Sequence, residues 1–104
     1  MERRQFALDQ KRLSGKGPIL AKILMYATAV CPFCIRAEQL LRRKGVADVE
    51  KIRVDLAPER RAEMMQRTGQ RTVPQIYIGD TYVGGCDELY ALERAGQLDH
   101  LLTS

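Results

Sequence analysis

Three cysteines carry the reactive sulfur of this 104-residue chain: Cys31, Cys34 and Cys86. The first two form Cys31-Pro32-Phe33-Cys34, a pair two residues apart whose sequence context places it between a strand and the first turn of a helix. Cys31 falls at the helix N-cap, where its sulfur meets unpaired backbone N–H groups and the positive end of the helix dipole. Both favour thiolate over thiol and make Cys31 the nucleophile. Pro32 suits the first helical position, where a missing N–H costs nothing. Cys34, one turn into the helix and expected to be the more buried of the two, is placed to attack a mixed disulfide formed on Cys31. The other chemistry open to such a pair is half of a zinc site. Zinc needs four ligands, and only Cys86 and His100 remain, without a second paired spacing, so no metal is expected.

The elements that must hold this pair follow from hydrophobic periodicity. Ile19 to Ala27 reads as a buried strand ending at Thr28. From Pro32, the residues Phe33, Ala37, Leu40 and Leu41 give the stripe of an amphipathic helix that Gly45 stops. Val49 to Asp55 alternates as a second strand. Pro58 opens a second helix with Met64 and Met65 on a narrow apolar face, ending at Gly69. Residues 75–78 and 81–84 form a hairpin about Gly79-Asp80. A last helix runs from about Asp87 to Ala95, followed by an amphipathic tail with Leu98, Leu101 and Leu102. The order is strand, helix, strand, helix, strand, strand, helix. Its first β-α-β unit implies parallel strands joined by a right-handed crossover, and the hairpin adds an antiparallel edge.

Cys31-Pro32-Phe33-Cys34, Thr72-Val73-Pro74-Gln75 and Gly84-Gly85-Cys86-Asp87, in that order and on those elements, resemble the dithiol (class I) glutaredoxins of bacterial type. The resemblance spans about residues 19–103 and includes Tyr26, five residues before Cys31. It implies an α/β, thioredoxin-like (glutaredoxin) fold, a four-stranded mixed sheet flanked by helices. It also implies an enzyme that uses glutathione to reduce protein disulfides and glutathione–protein mixed disulfides. Pro74 is then expected to follow a cis bond that turns the Val73 N–H and C=O toward the active sulfur, where a cysteinyl backbone pairs with them like an added strand. Glutathione is expected to lie against Thr72, Val73, Pro74, Gly85, Cys86 and Asp87. Its γ-glutamyl end would meet the last helix, with Asp87 receiving the ammonium; Asp87 could equally be an N-cap. Arg61, eleven residues before Thr72, is the expected partner of the glycyl carboxylate, against the plain alternative of a solvated helix charge. Two positions depart from the family pattern: Thr28 stands where relatives commonly carry lysine, and Phe33 where tyrosine is more frequent.

Two related readings share the motif: a redoxin recharged by thioredoxin reductase without glutathione, and an iron–sulfur carrier bridging a cluster between two chains. Gly85-Cys86-Asp87 speaks against the first, and the proline after Cys31 against the second. A pure binding module leaves the paired cysteines unexplained.

Charge narrows the field further. The formal net charge is +4, yet residues 1–18 carry five Lys/Arg against two acids, while the remaining residues carry twelve against eleven. A folded cationic face for nucleic acid is therefore not expected. The basic head, with its Ser14-Gly15-Lys16-Gly17-Pro18 breaker cluster, reads as a flexible N-terminal extension to a single domain over 19–104. No apolar run reaches the ~18 residues of a membrane span. An odd cysteine count without a secretory leader points to a reducing compartment, the cytoplasm, and to a monomer acting on protein partners.

Overall fold

The computed structural model describes residues 18–104, so the extension expected over residues 1–18 lies, but for Pro18, outside them. Four strands, β1 (Ile23–Ala27), β2 (Glu50–Arg53), β3 (Gln75–Ile78) and β4 (Thr81–Gly84), form one sheet in the order β2-β1-β3-β4. β1 pairs parallel with β2 and antiparallel with β3, and the β3–β4 hairpin is antiparallel. Among the described residues, four helices accompany them: α1 (Pro32–Arg43), α2 (Pro58–Thr68), α3 (Cys86–Arg94) and α4 (Leu98–Leu102). This is the mixed, helix-flanked sheet expected from the sequence.

Strand alternation divides the core in two. Ile23, Met25, Ala27, Ile76 and Ile78 face Ala37, Leu40 and Leu41 of α1, Leu89 of α3, and Leu98 and Leu102 of α4. Tyr26, Ile52 and Val54 on the opposite face close over Met64 of α2. Period-2 side-chain placement thus gives each helix layer its own apolar partner surface.

Several boundaries differ from the sequence reading. β1 starts at Ile23 because Ile23 is the first residue with a neighbour, Ile78, across the sheet. Ile19 and Ala21 pack only at the core's margin, and Leu20 is exposed. β2 is likewise confined to the four residues opposite Leu24 to Ala27. Phe33 is not part of the buried stripe of α1: it is 53% exposed, and Cys34 takes the inward position with Ala37, Leu40 and Leu41. Met65 points outward while Met64 is fully buried. The apolar tail becomes a helix of its own, tied back by Lys44, whose ammonium lies 2.9 Å from both Glu93 and Asp99.

Candidate functional site

Cys31 caps α1 from an extended backbone (φ −145°, ψ 95°), and Pro32 follows in the first turn. The Cys31 sulfur accepts a hydrogen bond from the Cys34 N–H at 3.1 Å. It therefore sits where an anion gains both a donor and the helix dipole. Cys31 and Cys34 are joined as a disulfide with Cα atoms 5.2 Å apart. Both are buried, at 6% and 5% exposure, so the expected contrast in burial is absent. Three exposed apolar residues, Val30, Phe33 and Ile35, lie next to the cysteines in the chain.

The loop before β3 supplies the neighbouring wall. Val73-Pro74 is a cis peptide bond, and the Val73 carbonyl oxygen lies 3.8 Å from the Cys31 sulfur. A groove of 520 Å³ extends from there, lined by Phe33, Thr72, Val73, Pro74, Gly85, Cys86 and Asp87 among others. Six of the seven residues expected to hold a ligand are thus brought together. Arg61 is outside the lining; its guanidinium donates to the Arg71 carbonyl at 3.3 Å, at the outer end of the same loop.

The far wall is the N-terminus of α3. Gly85, not Asp87, is its N-cap, and the Gly85 N–H donates to the Glu88 carboxylate at 2.7 Å. Cys86 and Asp87 occupy the first two helical positions, whose N–H groups have no intrahelical acceptor. Burial holds the Cys86 thiol above its ordinary value, although Arg36 opposes this. Cys86 is therefore a poor nucleophile beside Cys31.

A second, smaller cavity of 240 Å³ opens on the other side of the cysteine pair, lined by Thr28, Ile35, Glu38, Lys51 and Arg53. Its cations are engaged: Lys51 is 3.0 Å from Glu38, and Arg53 grips Asp55 with two 2.7 Å hydrogen bonds. Burial would raise the Glu38 carboxyl, but the hydrogen bonds from Lys51 and Arg42 outweigh it and hold it below its ordinary range. The Arg53 hydrogen bonds hold the Asp55 carboxyl well below its ordinary range, and Asp55 in turn accepts the Ala29 N–H at 3.3 Å, fixing the loop that leads to Cys31. None of these charged residues stands out in sequence, since charges around a short strand read as a solvated edge. Among the described residues, no group of three His, Cys, Asp or Glu side chains is placed to hold a metal ion.

The glutaredoxin family model matches residues 23–83, more than half of the chain. The chain belongs to the glutaredoxin family. A glutaredoxin of Pseudomonas aeruginosa is 60% identical over 82 residues, covering 79% of this chain and 96% of that protein. Among solved structures, the glutaredoxin of Brucella melitensis shares 49% identity at a TM-score of 0.72, covering 83% of this chain and 92% of its own. A buckwheat glutaredoxin–glutathione complex shares 32% identity at a TM-score of 0.73, covering 80% and 77%. With its redox-active cysteine pair, this glutaredoxin is a thiol–disulfide oxidoreductase.

Proposed function

We propose that this glutaredoxin draws its electrons from glutathione and reduces both glutathionylated proteins and protein disulfides. The observation that carries the reading is the continuous groove from Val73, beside the Cys31 sulfur, to the first turn of α3 at Cys86 and Asp87. Its chemistry suits a tripeptide: a backbone edge for the cysteinyl residue, and helix N–H groups with an adjacent carboxylate for the α-carboxylate and ammonium of the γ-glutamyl end. Arg61 has N–H donors beyond the one given to Arg71, and these are available to the glycyl carboxylate. The buckwheat relative, solved with glutathione, supports the same ligand.

The reduced Cys31 thiolate attacks the glutathione sulfur of a mixed disulfide, releasing the target protein as a thiolate and leaving glutathione on Cys31. A second glutathione thiolate attacks that bond, freeing Cys31 and forming glutathione disulfide. For an intraprotein disulfide, Cys34 resolves the Cys31 adduct, and two glutathione molecules reduce the resulting Cys31–Cys34 bond. The reaction suits a monomer in a reducing cytoplasm.

The test follows NADPH consumption with a glutathionylated peptide, once with glutathione and glutathione reductase and once with thioredoxin reductase alone. Turnover in the first mixture and not the second is expected. The reverse would make the groove irrelevant to the reductant and assign the protein to the thioredoxin-reductase-coupled redoxins.

A further inference from the structure

Gln75 is the buried polar residue among the described residues, 3% exposed, at the start of β3. Its side-chain Nε2 donates to the Thr72 carbonyl at 2.9 Å and lies 3.4 Å from the Thr72 hydroxyl. Its Oε1 accepts the Tyr82 hydroxyl at 2.5 Å, from the neighbouring strand β4. The two contacts settle the orientation of the amide. Were it reversed, two oxygens would face each other at Thr72, a buried mismatch costing about 1–3 kcal/mol.

What the carbonyl of Thr72 does determines where the N–H of Val73 points. The Thr72–Val73 peptide is trans and planar, so the two groups are opposed across it. Holding the carbonyl on Gln75 turns the Val73 N–H away from Gln75. The Val73 carbonyl meanwhile stands 3.8 Å from the Cys31 sulfur. Donor and acceptor of one residue are the two groups that an antiparallel partner strand uses. We infer that Gln75, oriented by Tyr82, is a positioning residue that fixes the Val73 backbone for pairing with the cysteinyl residue of the incoming disulfide. This rests on the reading that such a residue docks at Val73; it requires only a cysteinyl backbone, of which glutathione is one source.

The test compares three disulfides reacting with reduced protein in single turnover: a glutathionylated peptide, a mixed disulfide of the same peptide with cysteine methyl amide, and bis(2-hydroxyethyl) disulfide, which has no peptide backbone. For Gln75→Leu, the first two reactions are expected to slow about tenfold, and the third to stay within about twofold. Tyr82→Phe is expected to slow the same two by about threefold, and to add nothing in the Gln75→Leu background, as members of one relay do. Unchanged rates with the cysteinyl disulfides, or an equal loss on the backbone-free one, would overturn the inference. Tyr82 is 40% exposed, so Tyr82→Phe preserves the fold and keeps the test valid if Gln75→Leu unfolds. Wild-type protein reacting no faster with the glutathionylated peptide than with the cysteine amide disulfide would refute glutathione preference alone. The Gln75 effect would survive that result.

Discussion

Gly84→Ala probes how tightly the α3 wall of the groove is built. Gly84 has φ +113°, and a Cβ there would stand 3.0 Å from both Cγ and Oε1 of Glu88. Two costs combine. A side chain held at positive φ costs about 1–2 kcal/mol. Glu88 must also withdraw, loosening the carboxylate that caps the Gly85 N–H at 2.7 Å; a hydrogen bond to a charged group contributes about 1.5–3 kcal/mol, at the lower end here because the pair is exposed. The sum is about 3 kcal/mol. For a domain of this size that lowers the melting temperature by roughly 15 °C. Gly79→Ala is the control: φ is +60° and nothing lies within 4 Å of the added Cβ, so backbone strain alone, about 1 kcal/mol, is expected. Thermal melts and urea titrations of both variants measure the difference. Glu88→Ala in the Gly84→Ala background removes the Cγ and the carboxylate and leaves the Cβ contact at 3.2 Å, so the alanine substitution should cost clearly less there than with Glu88 present. Equal destabilisation by Gly84→Ala and Gly79→Ala would refute the claim that Glu88 packs as a cap against Gly84.

Cys34→Ser should retain turnover of glutathionylated peptide and lose reduction of an intraprotein disulfide in the coupled NADPH assay; retained dithiol turnover would reassign the two cysteines. Tyr26→Phe removes a hydroxyl that meets Glu63 at 2.5 Å and Arg67 at 2.8 Å. Both partners reach solvent once released, so a loss of about 1 kcal/mol in urea denaturation is expected. Glu38 has its carboxyl pKa lowered by folding. Its stabilising contribution is therefore complete above the unfolded value and fades as pH falls through the folded one. Glu38→Gln should accordingly be less stable than wild type near neutral pH and converge with it as pH falls below about 4, read from denaturation midpoints across pH.

The cysteine pair, the Thr72–Pro74 loop and the Gly85–Asp87 turn were legible because each combines residues with narrow backbone preferences in a fixed order. Boundaries were less so. Nothing in the apolar run from Ile19 to Ala27 marks Ile23 as the first residue of β1, because that is decided by where Ile78 and Glu50 provide neighbours. Phe33 and Cys34 are adjacent apolar residues, and only the direction in which α1 leaves its cap decides which is buried. The cap of α3 was obscured for another reason. Gly85 has no side chain to announce it, and the carboxylate that completes it belongs to Glu88, beyond the expected Asp87. Gln75 carried a usable signal, a polar residue opening an otherwise apolar strand directly after proline. Its partners in the loop and on β4 emerge only once the hairpin is formed.

The contact between the segment before β1 and the end of α4 bears on how this enzyme can be carried by larger polypeptides. The Leu20 and Ala21 N–H groups both reach the Leu102 carbonyl, at 2.9 and 3.2 Å, so the chain enters and leaves the domain at one place. That place precedes β1, whereas Cys31 follows its end, five residues and roughly 15 Å farther along the strand direction. The two ends are thus gathered at one pole and the reactive sulfurs lie toward the other. A tether at either end, or insertion of the whole domain into a host loop, leaves the redox face unobstructed, and closely spaced ends of this kind also favour circular permutation. The domain is in this sense a portable electron-transfer head, with its attachment points and its chemistry segregated along a single strand.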